Sequence, residues 1–317
     1  VQDNMLSRTK IFYTGFDANI CTIQRKYKNL YVYKEEYMYP ARRVLNHFNA
    51  NMREFIDQQR KQGNKYGFVN FITSNNGFTL ADLFMYNDRH NEANGEDNLD
   101  GNGWNFSNNY GVEGPTKKRY INKLRKLKWR NSMAMLFLAQ GVPLVWSGDE
   151  ISNSQQGNNN AYCQDNPVGW VNWKNEGRYE EYTEFVRELL QFRKEHPILF
   201  SEKPFQMSDY KRTGYPDLSY HSSEAWISDV KGNARAVGVM YSESYAKEED
   251  TEETFLYIGY NFYMGLQVFA LPKLPKGKHW YQIMDTAQMC PFFKEPRLLK
   301  NNSYEAFGQT ISILVGR

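Results

Sequence analysis

Up to about residue 200, short apolar runs alternate with longer amphipathic ones, and this alternation limits the possible folds more than any other feature of the sequence. Thr9-Lys10-Ile11-Phe12-Tyr13 is a β-branched and aromatic run closed by Gly15, the pattern of a buried strand. A loop follows. From Tyr39-Pro40 the apolar residues Val44, Leu45, Phe48, Met52, Phe55 and Ile56 recur at helical spacing. They predict one amphipathic helix to about Gln62, with Pro40 in its first turn. Residues 66–73 read as a second strand, apolar on both faces as in a covered parallel sheet. Residues 74–115, rich in Asn, Gly and Asp, predict a functional loop. Thr116 is expected to cap a helix to about Gln140, before a third strand over 142–147 that ends in Gly148-Asp149-Glu150. Residues 179–194 predict a last helix, with Tyr182, Phe185, Val186, Leu189, Leu190 and Phe192 on its apolar side and His196-Pro197 at its end.

This is the order of βα units around a parallel sheet, whose informative loops follow the strands. Beyond Pro197 the pattern changes to short strands over 234–241, 255–261, 266–271, 280–284 and 310–315. The expected fold is therefore α/β plus all-β, with a boundary near residue 200. Two units, 1–200 and 201–317, also suit a chain of 317 residues, which exceeds the usual size of one core. The acidic patch over 247–253 reads as a solvated loop.

A net charge of +3 makes no case for nucleic acid or an anionic membrane as partner. The basic run from Lys117 to Arg130 is interrupted by Leu124, Leu127 and Trp129, the pattern of a helix with a solvated basic face. No apolar run approaches a membrane span, and Val1-Gln2-Asp3-Asn4 does not read as a signal peptide. Cys21, Cys163 and Cys290 lie far apart without CxxC spacing, so a reducing cytoplasm is expected, without zinc or a disulfide framework. Asp97-Asn98-Leu99-Asp100 matches no calcium-loop spacing, and no metal or cofactor is predicted. Aromatics make up 16% of the chain, a surplus that often faces sugar rings and more often fills a core.

Longer motifs are more specific. Gly77-Phe78-Thr79-Leu80, residues 90–98 (His-Asn-Glu-Ala-Asn-Gly-Glu-Asp-Asn), Gly101 and Ser107-Asn108-Asn109 resemble the glycogen-debranching and isoamylase branch of glycoside hydrolase family 13. Gln140-Gly141-Val142-Pro143, Gly148-Asp149-Glu150, residues 154–166 and Trp170 extend the resemblance, as do residues 216–222 and Asp285-Thr286-Ala287. The resemblance implies strands five to eight of a (β/α)8 TIM barrel followed by a small antiparallel β-sandwich. It also implies α-1,6-branched glycogen or starch as substrate.

The chemistry of that family needs two carboxyl groups across the scissile bond, one as nucleophile and one as acid and then base. In the family the nucleophile follows the fourth barrel strand, the acid/base Glu the fifth, and a sugar-binding His-Asp pair the seventh. Against the fifth-strand pattern this chain places Thr14 where the Glu belongs, and against the seventh it places Asn75 and Asn76 where the His-Asp pair belongs. Threonine cannot protonate a leaving group at neutral pH, and an asparagine cannot offset the charge of an oxocarbenium-like transition state. Asp82, Glu92, Glu96, Asp97, Asp100, Asp149, Glu150 and Asp165 are expected to fix loops rather than to replace the lost carboxylates. Asn75, Asn76, Phe78, Trp104, Tyr162 and Trp170 are the expected carbohydrate contacts.

The resulting expectation is a homologue that binds α-glucan or maltooligosaccharide without hydrolysing it. The alternative is an active α-1,6-glucosidase once joined to an N-terminal barrel half. An open half barrel is further expected to pair with that half or to self-associate.

Overall fold

The computed structural model describes residues 3–14, 29–63, 66–173, 176–227, 230, 234–246 and 253–317. Cys21 and all but the last residue of the acidic patch lie outside them. Four strands, β1 (Ile11–Tyr13), β2 (Leu30–Lys34), β3 (Gly67–Asn70) and β4 (Val142–Pro143), form a parallel sheet in sequential order. Leu30-Tyr31-Val32-Tyr33-Lys34 is a strand where a loop was expected, and it pairs with β1 on one side and β3 on the other. The third predicted strand shrinks to two residues, Val142 and Pro143, paired with Val69 and Asn70.

The single helix expected from Pro40 to Gln62 is two. Helix α1 (Glu35–Asn46) starts directly after β2, so Pro40 lies inside the helix instead of in its first turn. His47 ends α1 in the left-handed conformation, its N–H donating to the Arg43 carbonyl. Asn51 then caps α2 (Met52–Gln59), its side chain accepting from the Arg53 and Glu54 amides. The apolar spacing survives the break because both helices turn the same side to one core: Val44, Leu45, Met52, Phe55 and Ile56 are buried.

Helix α3 (Arg119–Leu138) begins three residues past Thr116. The Thr116 hydroxyl accepts from the Lys118 amide before the helix and does not cap it. In α4 (Glu176–Glu195), Phe185, Val186, Leu189 and Phe192 are buried, whereas Leu190, expected on the apolar side, is half exposed.

The remaining strands are antiparallel. β5 (Leu218–His221), β6 (Ala236–Ser242), β7 (Phe255–Asn261), β9 (Trp280–Asp285), β10 (Phe292–Leu298) and β12 (Thr310–Gly316) make a six-stranded sheet in the order β10-β9-β12-β7-β6-β5. β8 (Gln267–Ala270) and β11 (Ser303–Ala306) pair separately. The period-two rule explains why β7 and β12 are buried along their whole length. Leu256, Ile258, Tyr260, Ile311 and Ile313 face the helices, while Phe255, Tyr257 and Leu314 face Phe269 and Tyr304 of the small sheet.

One continuous core joins the helices to the antiparallel sheet. Phe55 of α2 meets Tyr260 and Phe262 edge-on at 5.5 and 5.7 Å, and Phe292 of β10 lies against Phe185 and Phe192. Polar ties cross the same junction: Arg130 donates to the Gln288 and Met289 carbonyls, and Asn131 to that of Gln309.

Candidate functional site

In a parallel sheet every strand points the same way, so the segments after the strands gather at one edge. Here they line a cleft of about 1220 Å³. Thr14 follows β1, Lys34 ends β2 and is followed by Glu35 and Glu36, Asn75 and Asn76 come after β3, and Trp146 after β4. Tyr13, Tyr33, Tyr39, Tyr66, Phe68 and Phe71 supply most of the aromatic wall. The three positions singled out in the sequence, Thr14, Asn75 and Asn76, thus share one cleft, and all three are exposed.

Glu35 and Glu36 line the same cleft and were not singled out in the sequence. Both lie in the first turn of α1, where the helix dipole favours negative charge, but β2 had to be recognised before that turn could be placed. Lys34 reaches Glu36 at 3.2 Å and holds its ammonium 4.5 Å from the Phe68 ring centre. Partial burial works against ionisation of Glu36, yet its own backbone N–H and the Lys34 ammonium outweigh it and hold the carboxyl below its ordinary range. Glu36 is therefore a carboxylate at neutral pH. Among the described residues lining the cleft, Lys34 and Lys61 balance Glu35 and Glu36, which suits a neutral ligand.

The Asn75–Asn76 segment is held by buried groups at both ends. Arg42 of α1 is fully buried, and its Nε donates to the Ile72 carbonyl at 2.7 Å and its Nη1 to that of Asn105 at 3.2 Å. Asp149 accepts from the Thr73 hydroxyl and from the Leu80 amide, the latter at 2.8 Å. Burial pushes Asp149 up to about 7, against these two hydrogen bonds, which favour its charged form. Between the anchors Gly77 sits at φ 131°, a value that disfavours any side chain, and its N–H donates to the Asn159 carbonyl.

The asparagine-rich loops form a structural network. Asn91 donates to the Asp100 carbonyl and to Oδ1 of Asn159, whose own Nδ2 donates to the Asn102 carbonyl. Asp100 accepts from Asn94 and Asn160, and Asp82 from the Ser154 hydroxyl and the Gln155 and Gly157 amides. Asp82, fully buried, is pushed up to about 6 by that burial. These acids fix loops, and neither Asp82 nor Asp149 lines the cleft.

The expected aromatic contacts fare differently. Phe78 requires correction: it is completely buried, with Tyr86 beside it at 6.2 Å, and has no face open to a sugar. The dense packing of its loop draws the ring into the core. Trp104, Tyr162 and Trp170 are exposed but do not line the cleft. The Tyr162 hydroxyl donates to Glu96 and the Trp170 indole to Asp165, each at 2.9 Å.

No family model matches the chain. Curated relatives do. Residues of this chain are 44% identical over 149 positions to the glycogen operon protein GlgX homolog of Mycobacterium tuberculosis, covering 45% of this chain and 21% of that protein. Identity is 43% over 151 positions to the glycogen debranching enzyme of Pectobacterium atrosepticum, covering 48% and 23% respectively. It is 34% over 225 positions to the chloroplastic isoamylase 1 of Arabidopsis thaliana, covering 71% and 27%. The matched region therefore spans about a fifth to a quarter of these relatives' length. In fold, the chain is similar to a type I pullulanase of Bacillus subtilis solved with maltose, at TM-score 0.61 and 15% identity over 90% of this chain and 35% of that one. A pullulanase of Anoxybacillus solved with maltotetraose gives TM-score 0.59 and 14% identity, over 91% and 35%.

Proposed function

We propose, from the premise that this chain belongs to the glycogen-debranching and isoamylase branch of glycoside hydrolase family 13, that its cleft holds an α-glucan without hydrolysing it. On this reading β1 to β4 correspond to barrel strands five to eight within residues 1–200, and residues 201–317 form the accompanying β-domain. The observation that carries the proposal is the meeting of Thr14, Asn75 and Asn76 in one cleft, where the family would place an acid and a His-Asp pair.

The local chemistry agrees. Tyr33, Tyr39 and Trp146 offer faces for glucose rings, and the carboxamides of Asn75 and Asn76 offer donors and acceptors to sugar hydroxyls. A hydrolase of this kind also needs a protonated carboxyl beside the leaving oxygen. Glu36 is held ionised, and Asp82 and Asp149, whose protonation burial favours, are engaged inside the protein and do not line the cleft.

Titration calorimetry with maltotriose, alongside reducing-sugar release from glycogen and pullulan, tests this reading. Binding without sugar release is expected, and clear turnover by this chain overturns it.

One observation favours a second reading. Strands β1 and β4 each pair on one side only among the described residues, leaving two open edges of a parallel sheet. A complementary barrel half docked there would complete a barrel and could bring a nucleophile of its own, giving an active α-1,6-glucosidase. Self-association is the other way to cover those edges. No helix among the described residues is long and apolar enough to cross a membrane, and a glucan ligand of this class suits a cytoplasmic protein.

A further inference from the structure

A second cavity, of about 800 Å³, lies between the N-terminal half of α3, the segments 81–85 and 151–156, and the start of α4. None of its lining residues lines the first cleft. Its charge balance is also different. Among the described residues Lys123, Arg125 and Lys126 line it against a single carboxylate, Glu181, which Lys126 already pairs.

Arg125 is only 7% exposed, and its guanidinium donates to three neutral acceptors, the carbonyls of Gly114, Asn109 and Val112. Its Nε–H has no acceptor among the described residues. The nearby carboxylate Glu113 is taken up by the Asn87 and Asp88 amides and the Asn109 side chain. Lys123 is exposed and makes no ion pair among the described residues, which give the cavity lining an excess of positive charge.

The rest of the lining is that of a sugar pocket rather than of a bare anion site. Tyr182 stands edge-on to Trp129 at 4.6 Å and borders the cavity, with Phe84 and Met85 adding apolar surface. Ser152, Asn153 and Gln156 supply hydroxyl and carboxamide groups suited to sugar hydroxyls. The volume falls in the range of small-molecule pockets, about 300–1,000 Å³.

We propose that this cavity binds a phosphorylated sugar, its phosphate toward Lys123 and Arg125 and its ring along Tyr182. The inference is independent of what the first cleft does.

The test is titration calorimetry at low salt with glucose 1-phosphate, inorganic phosphate, glucose and maltotriose as separate probes. Glucose 1-phosphate should bind more tightly than either inorganic phosphate or glucose, and should weaken as salt is raised. Lys123→Glu, an exposed change expected to fold normally, should weaken it about tenfold or more, with Lys123→Arg restoring most of the affinity. Maltotriose should not compete, and its own binding, if present, should be unchanged by Lys123→Glu. The proposal is overturned if glucose 1-phosphate does not bind at millimolar concentration, or if Lys123→Glu leaves its affinity unchanged. Inorganic phosphate binding as tightly as the sugar phosphate overturns the assignment to a sugar, and competition by maltotriose overturns the separate site.

Discussion

Replacing Arg42 by methionine tests how the cleft is built. The side chain is fully buried, bonded to the Ile72 carbonyl at 2.7 Å and the Asn105 carbonyl at 3.2 Å, and lies near enough to Asp149 to feel its charge. Burial pulls Arg42 down to about 10, which leaves it charged at neutral pH. Methionine fills much of the same space but strands two buried carbonyls and removes a cation facing a buried acid. Hydrogen bonds to charged groups contribute about 1.5–3 kcal/mol each, and Arg42 makes two of them. A loss of ~4 kcal/mol is therefore expected. With an unfolding entropy of about 2.1 cal/mol/K per residue, a chain of 317 residues unfolding as one unit would lose ~6 °C in Tm.

Urea and thermal unfolding measure that loss, with Arg43→Met as the control. Arg43 is only partly buried and stacks 4.8 Å from the Phe106 ring, so it should cost less than ~1 kcal/mol. Because Arg42 anchors the strand end ahead of Asn75 and Asn76, maltotriose affinity should fall as well. A loss below ~1 kcal/mol with unchanged affinity would refute the view that Arg42 tethers the cleft.

Other consequences can be measured in the same way. Asp149 and Asp82 rise from the ordinary 3.8 to about 7 and about 6, so both carboxyls favour the folded state when protonated. Their contribution is complete below about pH 3.8 and is lost as pH rises through about 6 to 7. Asp149→Asn should therefore lose less stability than the parent between those limits in urea midpoints, and parallel pH curves would contradict the assignment. Gly101→Ala places a methyl 2.2 Å from Asn159 Oδ1 and 2.7 Å from Asn91 Nδ2, at φ 78°, and should cost ~2 kcal/mol or more with faster proteolysis of the 91–105 loop. Tyr33→Ala, in the cleft wall, should weaken maltotriose binding severalfold with little change in Tm. Light scattering should give a mass above the 37.4 kDa of one chain if the open strand edges associate, and a stable monomer would mean that they do not.

The sequence by itself carried the alternation of apolar periods, the change of pattern near residue 200 and the motifs that identify the family. These are local signals, and most of the predicted strands and helices lie close to where they were expected. It also pointed to Thr14, Asn75 and Asn76, through the family patterns against which they align. It did not reveal β2, which runs without a break into helix α1 and so lacks the turn residue that closes a strand. It merged α1 with α2, because the apolar spacing continues across a break made by the backbone at His47 and the cap at Asn51.

Only the tertiary structure decided which side chains meet. Parallel pairing of β1, β2, β3 and β4 brings segments from residues 14, 34–36, 74–76 and 144–146 to one edge, a convergence that no local pattern encodes. Packing likewise took Phe78 into the core and left Trp104 and Tyr162 exposed away from the cleft, although all three are aromatics in loops of similar composition. The physical reason is that periodicity reports which way a residue faces along its own element. Site membership depends on partners distant in the chain, and only the pairing of strands and the closure of the core select them.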